Sequence, residues 1–129
     1  MPVESDSTLG VLLISGTHDR AHYAFVLATG AAAIGREVVV FATSRGCHAL
    51  LQDWSGLEDA ARDAAIRARG VAGLGELRDV AASLGLRLIA CEAGLRAEGL
   101  DARTPFRGVE VAGVVTFLSA VGAGQIVAI

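Results

Sequence analysis

The chain has 129 residues, 53% apolar and 19% charged, with a net charge of −3 and a mean hydropathy of +0.52. That length suits one domain with a real core, and mild acidity with one Trp and one Tyr excludes a nucleic-acid surface built on basic charge and stacking. All eleven cationic residues are arginine, which excludes Schiff-base and P-loop lysine chemistry.

The first eight residues read as a flexible polar tail ahead of a single domain, with no basic region of a signal peptide. Leu9 to Ser15 is an apolar run of strand length. Gly16-Thr17-His18-Asp19 is a loop with cap-forming residues, and Ala21 to Ile34 is a small-residue helix ended by Gly35. Glu37 to Ala42 is the second strand. Thr43 to Gly46 then turns into Cys47-His48 and a short helix reaching Gln52.

Leu57 to Arg69 reads as a helix with Glu58–Arg62 and Asp63–Arg67 at i,i+4 spacing. Its apolar face is mostly alanine, which predicts weak anchoring. With glycines bracketing it, Trp54 to Gly73 is a candidate mobile flap, against an ordinary surface helix as the alternative. Leu74, Leu77, Ala81 and Leu84 mark one face of another helix, stopped by Gly85. Leu86 to Ala90 is a strand leading to Cys91, and Glu92 to Leu100 a short helix stopped by Gly99. Ala112 to Val121 is the last helix and Gln125 to Ile129 the last strand. Val111 to Ile129 is uncharged over nineteen residues, but Gly122, Gly124 and Gln125 divide it, so a buried helix plus strand is expected rather than a membrane span.

Strands that are apolar throughout and alternate with helices indicate a parallel sheet covered on both faces. Ligand sites in such sheets lie at the carboxyl ends of strands. His18, Cys47, His48 and Cys91 all follow strands, so they are expected on one edge. Cys91, at the end of a strand and the start of a helix, is the prime candidate: unpaired helix N–H groups favour a thiolate, the form that attacks sulfur. The competing reading of either cysteine is a small buried hydrophobe. His48 beside Cys47 is a candidate auxiliary group. Arg96 is another, with a solvated charge as its alternative.

His18-x-x-x-His22 with the cysteines could supply zinc ligands, but no C-x-x-C pair supports this, and no metal is expected. The glycine spacing matches neither a dinucleotide fingerprint nor a P-loop, so no cofactor is expected. Two cysteines are too few for a disulfide scaffold and suit a reducing cytoplasm. The high apolar fraction predicts a homo-oligomer.

Four stretches carry a resemblance: Val11 to Gly16 with the helix ending Ala32-Ala33-Ile34-Gly35; Glu37 to Thr43; Leu74 to Gly85 leading into Leu88-Ile89-Ala90-Cys91; and Gly108 to Leu118 before a final strand. Together they resemble the DsrE/DsrF-like family, which includes sulfur-relay subunits. In relay subunits a cysteine at this place begins C-x-x-x-x-x-R-x-G, here Cys91…Arg96…Gly99. The loop Arg45-Gly46-Cys47-His48 departs from the family, where aromatic or apolar residues are frequent. The resemblance implies a three-layer α/β/α sandwich with a mostly parallel sheet of four to five strands, assembled as a homotrimer or homohexamer. It also implies a sulfurtransferase-like carrier, with Cys91 taking sulfane sulfur as a persulfide from a donor and passing it to an acceptor protein. A noncatalytic small-ligand module, or a thiol redox protein cycling a Cys47–Cys91 disulfide, are the alternatives.

Overall fold

A computed structural model describes residues 7–129 of the chain. Five strands form one all-parallel sheet in the order β4-β3-β2-β1-β5. They are β1 (Leu9–Leu13), β2 (Val38–Ala42), β3 (Arg87–Cys91), β4 (Val109–Ala112) and β5 (Gln125–Ala128). Five α-helices accompany them: α1 (His18–Ala33), α2 (Arg62–Ala68), α3 (Leu74–Ser83), α4 (Glu92–Ala97) and α5 (Val114–Val121). A 3-10 segment, Ser44–Leu50, follows β2. Together they make a three-layer α/β/α fold, in which β4 is a strand the sequence pattern does not mark; of its residues only Ala112 falls in the expected last helix, which begins instead at Val114. Its Glu110 pairs with Arg87 across the β3–β4 edge at 2.6 Å and its Val111 is exposed, so β4 lacks the uniform apolar burial of a central strand.

Strand alternation divides the core. Leu9, Val11 and Leu13 of β1, Val38, Val40 and Ala42 of β2, and Leu88 and Ala90 of β3 pack with Phe25 of α1 and Leu74 and Ala81 of α3. On the opposite face, Val39, Phe41, Ile89 and Cys91 pack with Phe117 and Val121 of α5. Phe117 stacks on Phe41, with ring centroids 4.9 Å apart and planes 11° from parallel. Gly10 permits this approach: a Cβ there would stand 2.6 Å from Val121 Cγ2.

At the amino terminus, residues 1–6 of the expected tail lie outside the described residues. Ser7 and Thr8 are held at the sheet, where the Ser7 carbonyl accepts from Arg36 Nε at 2.7 Å and the buried Thr8 carbonyl from the Gln125 amide at 3.0 Å. Among the described residues no helix is long and apolar enough to cross a membrane; the uncharged C-terminal stretch is α5 and β5.

Candidate active site

The chain leaves β3 toward one face of the sheet and β4 toward the other. Leu95 of α4, which follows β3, packs into the cluster containing α1 and α3, whereas α5, which follows β4, covers the opposite face. Adjacent parallel strands whose connections diverge in this way mark a topological switch point, the location at which open α/β sheets bind ligands. Cys91, the last residue of β3, lies there, paired in register with Ala112, the last residue of β4.

Cys91 is also the N-cap of α4, with φ −68° and ψ 120°, and its Sγ accepts a hydrogen bond from the Gly94 amide at 3.3 Å. The contact orients Sγ and sets one N–H donor against it. The residue is 8% exposed, against 0% for Cys47.

Cys47 occupies the 3-10 segment, with Ala42 O 3.6 Å from its Sγ. Burial, with the proximity of Cys91 second, pushes its pKa up to about 12. It therefore remains a thiol at neutral pH. The neighbouring His48 is half-buried; its Nδ1 has no hydrogen-bond partner among the described residues, and Gly56 packs directly on the ring. Arg96 is an exposed residue paired with Glu92, one turn back on α4, at 3.5 Å.

His18 is placed elsewhere. It is fully buried at the start of α1, where its Nε2–H donates to Asp63 Oδ1 at 2.7 Å and its Nδ1 accepts from Arg62 at 3.3 Å. His22 stacks on it, with centroids 5.7 Å apart, and donates from Nε2 to the Ala72 carbonyl. Both imidazoles are thus occupied in holding α1 to the segment before α3, rather than joining the cysteines as ligands.

Sequence spacing paired Asp63 with Arg67, and the structure has that pair at 3.1 Å, but the bonds of Asp63 to His18 and to the Leu74 amide were not legible. Burial raises its pKa, but hydrogen bonds from the Leu74 amide, His18 and Arg67 outweigh that, and the net shift is downward. It ties the expected flap to α1 and α3. The helix itself is shorter than expected, only Arg62–Ala68, and Glu58 lies outside it. Leu57 is buried, the His18 amide donates to Glu58 O, and the Glu58 amide donates to Gly16 O.

Arg78 was missed as well. Its buried guanidinium donates to the carbonyls of Ala49, Leu51 and Gln52 and lies 4.1 Å over the Phe106 ring, which fixes the end of the cysteine-bearing 3-10 segment. Its place four residues after Leu74, on the buried face of α3, was the available signal.

A cavity of about 370 Å³ opens past the carboxyl ends of β1 and β2, lined by Ser15, Thr17, Ser44, Arg45, Glu58 and Glu98 among others, with neither cysteine in its wall. A larger one, about 460 Å³, lies around the amino ends of β2 and β3 with Arg36 and Arg87 in its wall, away from Cys91.

Residues 5–56 match the model of the DsrE/DsrF/DrsH-like family, the family the sequence motifs resemble. This stretch spans β1 through Cys47 and ends before Cys91. No curated protein matches the chain. Among solved structures, the ychN protein of E. coli superposes with a TM-score of 0.65 at 12% identity, over 96% of this chain and 99% of that one. MTH1491, a protein of unknown function from Methanobacterium thermoautotrophicum, superposes with a TM-score of 0.63 at 18% identity, over 96% and 100% of the two chains. At these identities the likeness is one of fold.

Proposed function

Starting from the DsrE/DsrF/DrsH-like match over residues 5–56, we propose that the chain is a cysteine-dependent sulfur carrier in which Cys91 holds the cargo as a persulfide. The observation that carries this reading is the Gly94 amide on Cys91 Sγ at 3.3 Å, at the carboxyl ends of β3 and β4. A hydrogen-bonded thiolate is suited to both halves of sulfur exchange. The Cys91 thiolate attacks the outer sulfur of a donor persulfide R–S–SH; the S–S bond breaks, R–S⁻ leaves, and Cys91–S–SH forms with no net oxidation. An acceptor thiolate then attacks that outer sulfur, and Cys91 leaves as the thiolate. The same amide faces Sγ in both steps, and it helps the second, in which Cys91 is the leaving thiolate.

The assembly is a homo-oligomer, a trimer or hexamer, working in the cytoplasm with donor and acceptor proteins. Exposed Val114, Val115 and Leu118 on α5, with Ile126 of β5, support a subunit interface on the α5 side. The buried, unionised Cys47 speaks against a Cys47–Cys91 redox cycle.

Incubation with a sulfane-sulfur donor followed by intact and peptide mass spectrometry tests the reading. A gain of about 32 Da on Cys91, removed by a reducing thiol, is expected. A loss of about 2 Da shared by both cysteines would replace the carrier with a redox protein, and no change at Cys91 would reject the carrier.

A further inference from the structure

Gly94 touches both thiols. Its amide is the donor to Cys91 Sγ at 3.3 Å, and its bare Cα lies over Cys47. A Cβ at this position would stand 2.8 Å from Ser44 N, 3.0 Å from Thr43 Oγ1 and 3.2 Å from Cys47 Sγ. The nearest of these is backbone, and that backbone has little freedom to yield. Ser44 is already in the left-handed region at φ 51°. The Thr43 amide is bonded to Leu13 O at 3.0 Å, and the Gly46 amide to Thr43 O at 2.9 Å and Ile14 O at 3.1 Å. Gly46 itself is pressed against Leu13, where a Cβ would stand 2.4 Å from the carbonyl oxygen. Any side chain at 94 must therefore be accommodated by lifting the first turn of α4.

We propose that Gly94 is the positioning residue that decides which of the two thiols reacts: by seating α4 on the 3-10 segment it donates to Cys91 and seals Cys47. The inference rests on the reading of Cys91 as the reacting thiol. The two effects have one geometric origin. Lifting α4 lengthens the 3.3 Å contact to Cys91 and at the same time uncovers Cys47, whose inertness comes from complete burial. Among the described residues no side chain donates to Cys91, and Arg96 is turned to Glu92 at the surface.

The experiment is competitive alkylation with limiting iodoacetamide, read by peptide mapping as the Cys91:Cys47 labelling ratio over a pH series, in wild type, Gly94→Ala and Gly75→Ala. Gly75 lies in α3 with open space around its missing Cβ, so its variant controls for a glycine replaced in a helix. In Gly94→Ala the ratio should fall by about tenfold or more, the magnitude of losing one hydrogen bond to a charged group, and the pH midpoint of Cys91 labelling should rise. Gly75→Ala should leave both unchanged. A second measurement does not depend on how the variant folds. In wild type the Gly94 amide resonance should shift along the titration of Cys91, and this shift should vanish in Cys91→Ser. An unchanged ratio and midpoint in folded Gly94→Ala, or a Gly94 amide indifferent to Cys91, overturns the inference. Sulfur loading separates it from the carrier reading: labelling that responds to Gly94 in a protein that takes no sulfane sulfur rejects only the carrier, while sulfur loading with unmoved labelling rejects only the role of Gly94.

Discussion

Asp63 Oδ1 lies 2.7 Å from Nε2 of His18, forty-five residues earlier in the chain, and both side chains are almost wholly buried. The carboxylate also accepts from the Leu74 amide at 2.8 Å and from Arg67 at 3.1 Å. One residue thus joins α1, α2 and the start of α3, on a segment whose alanine-rich face offers little apolar area.

Asp63→Asn should therefore destabilise the fold by about 2–3 kcal/mol at neutral pH, the scale of lost hydrogen bonds to a buried charged group. The folded pKa of Asp63 lies below its ordinary 3.8, so its contribution is present above that value and is lost as pH falls through the folded one. Denaturant melts should show the gap between wild type and variant closing in that acid range. Hydrogen exchange of the same pair should show faster exchange from Leu57 to Arg69 in the variant, with the amides of Leu88 to Ala90 protected as before. Rapid exchange of Leu57 to Arg69 in wild type as well would favour the mobile flap over a segment held by Asp63.

The two thiols should separate sharply in reactivity. With a pKa of about 12, Cys47 is ionised at pH 7 to roughly one part in 10⁵, so limiting iodoacetamide on the native protein should label Cys91 first, and Cys91→Ser should remove nearly all native labelling. The raised pKa has a second consequence. Stability from keeping Cys47 protonated is complete below its ordinary value of 9.0 and falls as pH rises from there through about 12. Cys47→Ala should flatten that alkaline decline in denaturant melts. Preferential labelling of Cys47 would reverse the assignment.

Charge placed on the α5 surface should disperse the proposed oligomer without unfolding the subunit. Val115 is 73% exposed and Leu118 51%. A Val115→Glu, Leu118→Glu pair should therefore cost each folded subunit only about 1 kcal/mol, while sedimentation shifts toward the monomer. A wild-type protein that sediments as a well-folded monomer at micromolar concentration would remove the oligomer from the reading.

Periodicity and punctuation by themselves determined the parallel sheet and most of its elements. β1, β2 and β3 are short apolar runs buried on both faces, and such runs admit few other folds once helices alternate with them. Cys91 at a strand end was legible for the same reason, since a run of Leu, Ile and Ala that stops at a helix start places its last residue on the carboxyl edge. Only the tertiary structure decided what surrounds it. That Gly94 contacts both sulfurs, that His18 is taken up by Asp63, that Arg78 is buried among carbonyls, and that β4 is a strand all depend on partners distant in sequence. Local propensity is blind to such partners: an Asp or Arg on an otherwise polar helix reads as a solvated charge until another element brings it a partner and removes the water. The division of the two faces between β3 and β4, which sets the switch point at Cys91, is likewise a property of where the connections cross and not of any one segment.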